Sequence, residues 1–394
     1  MGSQRAFALV TLLWLLTVIH SHASTQLLYI QEGPNLVTYG VNPTTAAYRK
    51  LGSLYLNASP NLPIQIFHSG PYLYILGFTS LTEEYFWVHA TTAQGVPTSK
   101  AIEKLSVKPT LTQFFIHPNG NFAYAMYSST LNDRRCAATP EFASYVSDIL
   151  LYTINAKTGW LNETASRVAS FPASCSQTTV YGLNSTGSKL YIDTFNDETD
   201  NNDNSFAYHT VNAKNGLLGL SVPFFNFDSG VQAFASTVIG DNSIAMWNNG
   251  TDTLSQGIYI YPNAVNPKPL FFCGAATSQV CGDNLNYPTP FQYDPSGKYL
   301  FINDNSSNNV IIAAVDLKHK RLAETGASFP SVNPSIISFS PDGVLIYAVN
   351  NYNSDGTQTV TIYVFAPSTG HLLTEGNPIK LPLSVGTILP VSRP

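Results

Sequence analysis

The sequence predicts an all-β protein, a seven-bladed β-propeller of four-stranded antiparallel blades with its ring closed by the N- and C-terminal strands. Three observations predict it. A Pro/Gly turn between two apolar runs recurs along the chain, a second turn follows most copies in phase, and an unmatched strand is left at each end. All-β units repeating every ~50 residues are the signature of propeller blades, because one such unit cannot bury its own apolar faces.

The elements follow in order. Leu27-Leu28-Tyr29-Ile30 reads as the second strand of a blade that has no first strand, and LVTYGVNPTTAAYRKL supplies its third and fourth. Phe67-His68-Ser69-Gly70, before PYLYILG, opens the next blade, and Phe115-Ile116-His117-Pro118-Asn119-Gly120, before FAYAMY, opens the third. Gly182-Leu183-Asn184-Ser185-Thr186-Gly187 and Gly240-Asp241-Asn242 open the fourth and fifth. Gln292-Tyr293-Asp294-Pro295-Ser296-Gly297 and Ser338-Phe339-Ser340-Pro341-Asp342-Gly343 open the last two. Glycine supplies the positive φ of such turns and proline pre-sets their corner.

The second turn is Asn155-Ala156-Lys157-Thr158-Gly159, repeated as Asn212 to Gly216 and Ala366 to Gly370, with a degraded copy at Asp316-Leu317-Lys318. Each unit therefore reads strand, PxG turn, strand, variable loop, strand, NxxTG turn, strand. The stretch Ser384 to Val391 is left over and is expected to pair with Leu27–Ile30, since an open sheet leaves edge N–H and C=O groups unpaired.

Charged residues are only 11% of the chain and net charge is −5, with no basic cluster larger than Arg134-Arg135. Nucleic acid is excluded as a partner on that ground, because phosphate binding needs a basic surface. Arg5, the apolar run Ala6 to Ile19 and the small-x-small Ser21-His22-Ala23 read as a signal peptide over residues 1–23, leaving one propeller domain over 24–394. A secreted or periplasmic monomer without a membrane span is expected. Cys136, Cys175, Cys273 and Cys281 then sit where disulfides are permitted. The blade map favours Cys136–Cys175 and Cys273–Cys281, each pair lying in loops of one face.

The second-to-third-strand loops and blade connections are long and irregular, at 129–148, 193–205, 247–256 and 272–288. Function in a propeller concentrates on such loops around the channel, so this face is the expected binding face for a small molecule, glycan or protein. Arg134, Arg135 and Glu141, in the longest loop, and Asp193 are the ligand-binding candidates; arginine clamps carboxylate or phosphate groups. Asp197, Asp200 and Asp203 offer hard oxygen ligands for Ca²⁺ but lack the EF-hand spacing, and no resident metal or cofactor is expected. His117 occupies the slot of Asp294 and Ser340 in sister repeats, with Asn184 and His68 nearby, so all are expected to cap turns rather than catalyse. His209 falls in a third strand, and His89 just past one. Five N-x-S/T sequons occur, at Asn57, Asn162, Asn184, Asn249 and Asn305.

Residues 114–161, 291–322 and 339–376 carry these motifs most fully. They resemble repeats of the seven-bladed lactonase propellers, the 6-phosphogluconolactonase-like, carboxymuconate-cyclising and YVTN-repeat proteins. The resemblance spans the whole chain after residue 23 and rests on turns and strands. It implies the fold, and as an activity the hydrolysis of a lactone. That activity stands as the alternative to a non-catalytic binding propeller and would need an acid/base pair and an oxyanion stabiliser at the channel.

Overall fold

The computed structural model describes residues 25–56, 64–80, 83–107, 111–131, 144–174, 177–195, 205–226, 233–239, 243–248, 257–262, 270–274, 291–304, 308–316, 318, 321–330, 334–350, 357–381 and 385–393. The first sheet holds β1 (Gln26–Glu32), β2 (Asn35–Val41) and β3 (Tyr48–Tyr55). The second holds β4 (Gln65–Ser69), β5 (Tyr72–Ser80), β6 (Glu83–Ala90) and β7 (Glu103–Val107), and the third β8 (Leu111–Ile116), β9 (Phe122–Leu131), β10 (Ser144–Ile154) and β11 (Leu161–Ser174). The fourth is β12 (Gln177–Leu183), β13 (Lys189–Phe195), β14 (Ser205–Val211) and β15 (Leu218–Asn226). The fifth is β16 (Ala233–Ile239), β17 (Ser243–Asn248), β18 (Gly257–Pro262) and β19 (Leu270–Gly274). The sixth is β20 (Phe291–Tyr293), β21 (Tyr299–Asp304), β22 (Asn309–Asp316) and β23 (Arg321–Pro330). The seventh is β24 (Pro334–Phe339), β25 (Leu345–Asn350), β26 (Gln358–Ala366), β27 (His371–Glu375) and β28 (Ile379–Leu381), and β29 (Val385–Val391) ends the chain.

All pairings are antiparallel meanders. In the seventh sheet β27 and β28 share one edge: β27 pairs Tyr363–Ala366 of β26 and β28 pairs Gln358–Val360. β29 returns to the first sheet, placing Val391 opposite Leu27, Leu389 opposite Tyr29 and Ile388 opposite Ile30. The leftover strand thus pairs with the lone one. The first strand of each sheet also touches the first strand of the next, from β29 through β4, β8, β12, β16, β20 and β24 back to β29.

The strands read as nearly continuous apolar runs because neighbouring sheets cover both faces. In β1, Leu28 and Ile30 pack with Tyr347 and Val349 of the seventh sheet, while Leu27 and Tyr29 pack with Leu73 and Ile75 of the second. Side chains alternate between the two interfaces with the two-residue period of a strand.

The PxG turns share one geometry. The N–H of Gly120, Gly187, Gly297 and Gly343 donates to the carbonyl of His117, Asn184, Asp294 and Ser340, at 2.8–2.9 Å. Those four residues are buried and their side chains accept backbone N–H bonds within the same turns. Asn119 donates to His117 Nδ1 (3.1 Å), Lys189 to Asn184 Oδ1 (2.9 Å), Tyr299 to Asp294 Oδ1 (2.8 Å) and Leu345 to Ser340 Oγ (2.9 Å). With Nδ1 accepting, His117 carries its proton on Nε2 and donates it to Gly187 O at 3.1 Å, tying the third sheet to the fourth. Gly187, at φ +72°, has no room for a side chain, since a Cβ would lie 2.4 Å from His117 Nε2.

His68 departs from the capping expectation. Pairing in its hairpin continues to Ser69 opposite Tyr72, so the turn is only Gly70-Pro71 and His68 lies inside β4. His89 also lies within β6 rather than beyond it, its Nδ1 bonding Thr98 O at 2.8 Å.

A further repeat, in the second strands, was not read from the sequence. Tyr29 donates to Gly95 O (2.6 Å), Tyr74 to Gly159 O (3.0 Å) and Tyr124 to Gly216 O (2.7 Å). Each ties one sheet to the second turn of the next. Tyr347 holds the sister position in β25 and is fully buried, yet its hydroxyl has no partner among the described residues. In the first sheet, which follows, the turn glycine is replaced by Ala46 at φ 54°.

Candidate channel site

The first strands are sheet edges: β29, β4, β8 and β12 each have a partner on one side only. Their free edges and neighbouring side chains line an open cavity of about 850 Å³, within the range of small-molecule sites. Gln65, Thr112 and Gln113 stand on its wall, and Pro118, Asn184 and Ser185 bring it out to the PxG turns. Phe67, Phe115 and Leu389 give the apolar part of the wall. Phe67 is fixed edge-on against the buried Phe114, with ring centroids 5.0 Å apart.

A register shift between Leu111 and Gln113 interrupts the strict alternation of β8 and puts two polar residues side by side. In β8, Leu111 and Phe114 turn into the core while Thr112 and Gln113 remain exposed or half-buried. No Asp, Glu, Lys or Arg lines the cavity among the described residues. Its polar equipment is amides, hydroxyls, strand-edge backbone and the His68 imidazole. His68 is half-buried, burial lowers its pKa, and its ring bonds to no described residue. It is therefore a neutral imidazole at neutral pH, the form that accepts a proton.

A second cluster of titratable groups lies between the second and third sheets. Glu84 of β6 is buried, and its Oε2 has no hydrogen-bond partner among the described residues. Burial pushes its carboxyl up to about 7. Tyr127, whose own pKa rises to about 12 by burial, feels Glu84 and shares a 2.9 Å bond with Tyr152. Tyr152 donates in turn to Glu163 Oε2 at 3.2 Å. Tyr127 and Tyr152 sit in the apolar interface of the two sheets, the chain of bonds ends on the exposed Glu163, and none of these groups lines the cavity.

The sites named from sequence fall mostly outside the described residues. Arg134, Arg135, Cys136, Glu141, Cys175, Asp197, Asp200, Asp203 and Cys281 all do. Asp193 is not in a loop but within β13, opposite Thr179 and Phe206. Cys273 is within β19, opposite Ile258. The long loop at 129–148 is shorter than expected, because β9 extends to Leu131 and β10 begins at Ser144. His68 and Glu84 were not singled out as chemical groups. The available signal for His68 was the turn: Gly-Pro leaves no capping slot.

No protein-family model matches the sequence, and neither does any curated protein sequence. Solved structures do match. The chain resembles a periplasmic gluconolactonase of Pseudomonas aeruginosa at 13% identity and TM-score 0.58, covering 94% of this chain and 100% of that one. It resembles a Bacteroides fragilis protein proposed to be a 6-phosphogluconolactonase at 15% identity and TM-score 0.57, covering 93% and 98%. A Lactobacillus plantarum protein gives 12% identity and TM-score 0.58, covering 93% and 99%. At these identities the likeness is one of fold, and the fold is that of the lactonase-type β-propellers. Among the described residues no helix is long and apolar enough to cross a membrane.

Proposed function

We propose that the seven sheets are the blades of one closed propeller over residues 24–394, and that it binds a small, uncharged, hydroxyl-rich ring compound in its channel. A sugar lactone is the ligand class. The observation that carries this reading is the wall of the cavity, with amides, hydroxyls and aromatic rings and no charged side chain among the described residues. Amides and hydroxyls both donate and accept, which matches vicinal hydroxyls, while Phe67 and Phe115 face the C–H side of a ring. A phosphorylated sugar is disfavoured, because no described residue of that wall neutralises a phosphate.

A second reading, hydrolysis of the lactone, is favoured by His68 and by the fold shared with gluconolactonases. The neutral imidazole would take the proton of an attacking water, and a Gln65 or Gln113 amide N–H would stabilise the carbonyl oxygen. Arg134, Arg135 and Glu141 remain candidates for an anionic ligand on the separate long-loop face, with Asp193 on β13. The two disulfides, the leader and export are retained as proposals, with no resident cofactor.

The experiment is calorimetric titration with δ-gluconolactone and its 6-phosphate, alongside pH-stat hydrolysis corrected for the spontaneous rate. Tighter binding of the unphosphorylated ring, and loss of any turnover in His68→Gln, are expected. No binding of either compound at millimolar concentration overturns the channel assignment. Turnover surviving in His68→Gln overturns the catalytic reading alone.

A further inference from the structure

Five sequons run through the chain, and the structure separates two that the sequence leaves equivalent. Asn184 is 2% exposed. Its Oδ1 accepts the Lys189 N–H at 2.9 Å, and its Nδ2 donates to Thr186 and Ser188. An amide so committed is the cap of a turn, and a sugar on Nδ2 has no space there. Asn162 is the opposite case. It lies on β11, the outer strand of the third sheet, opposite Thr153. Its side chain is exposed and bonds to no described residue. Strand alternation turns its neighbour Leu161 into the core and leaves Asn162 facing away.

We propose that Asn162 is an N-glycosylation site, and that Asn184 stays unmodified in the folded protein. The donor is a lipid-pyrophosphate-linked oligosaccharide. The Asn162 Nδ2 bonds to C1 of its first sugar, the C1–O bond breaks, the pyrophosphate leaves with the electron pair, and the amide gives up one proton. Transfer acts on chain entering a secretory compartment. A chain carrying a sugar on Asn184 cannot form the fourth sheet's turn, so it drops out of the folded product.

The position serves the fold as well as the chemistry. β11 is the outermost strand of its sheet, and an uncovered outer strand can pair with another chain. A glycan at Asn162 shields that edge. Trp160, 49% exposed and two residues upstream in the turn that leads into β11, adds an apolar group beside that edge.

The test expresses the full chain behind an added leader in a glycosylating eukaryotic host. The secreted protein is treated with peptide N-glycosidase in ¹⁸O water and mapped by mass spectrometry. Conversion of Asn162 to labelled Asp, with Asn184 unconverted, is expected, and Asn162→Gln should remove the corresponding mass. An unoccupied Asn162 in secreted protein overturns the proposal. A glycosylated Asn184 in protein with native thermal stability overturns its structural basis.

Discussion

Replacing Glu84 by glutamine tests the buried carboxyl between the second and third sheets. In the folded protein that group titrates at about 7 against an ordinary 4.5. The folded state therefore holds a proton between those two values that the unfolded chain has released. Stability falls as pH rises through 4.5 to 7 and is flat above, where a buried carboxylate stays without a described partner. The full shift corresponds to about 3 kcal/mol. Glutamine keeps the shape and cannot ionise. Glu84→Gln should match the parent at pH 4 and exceed it by about 3 kcal/mol at pH 8, or about 4 °C in Tm for a chain of this length. Paired thermal melts from pH 4 to 8 read this directly, since every other titrating group cancels in the difference. A parent–variant gap that is the same at pH 4 and pH 8 would show that the carboxyl is solvated or ion-paired, and would refute the reasoning.

Two further perturbations follow from the inter-sheet bonds. Tyr124→Phe removes the bond to Gly216 O and leaves that carbonyl unpaired, costing about 1–2 kcal/mol; Tyr347→Phe removes a hydroxyl without a described partner and should be neutral or stabilising in urea titration. Equal losses in the two variants would contradict the bonding pattern. Deleting residues 385–394 strips β29 from β1 and exposes the surfaces buried by Ile388 and Val391. At about 1.5–3 kcal/mol per side chain that is about 3–6 kcal/mol before edge effects, so an unchanged melting temperature would argue against closure through this strand.

The framework was legible because turn chemistry repeats even where residues differ. His117, Asn184, Asp294 and Ser340 share no side chain but share the task of accepting a backbone N–H beside a turn glycine. Their register identified them without a motif in the usual sense. His68 was misplaced by the same reasoning. It stands just before a Gly turn, but Gly70-Pro71 closes the hairpin in two residues and leaves no cap to fill. The tyrosine bonds were hidden for another reason: Tyr29, Tyr74 and Tyr124 reach carbonyls 66–92 residues away, and an aromatic in an apolar strand reads as ordinary core.

The site was less legible than the fold because a propeller separates the two. Strand pattern decides how sheets stack, since alternating faces must both be buried. Which groups meet in the channel is decided by the first strand of each sheet, and those strands are short and varied. Gln65, Thr112, Gln113 and His68 come from two such strands and are 44–48 positions apart from one strand to the other, with no spacing that marks them as one wall. Their common property is positional: each lies on an inner edge strand and is not turned into the core. A polar residue at that position costs the fold little, because its side chain is exposed or half-buried on a strand edge that no other strand covers. Ligand chemistry can therefore change there while the turns and interfaces stay fixed. This accounts for a chain that shares a fold with solved structures at 12–15% identity and still has a wall of its own.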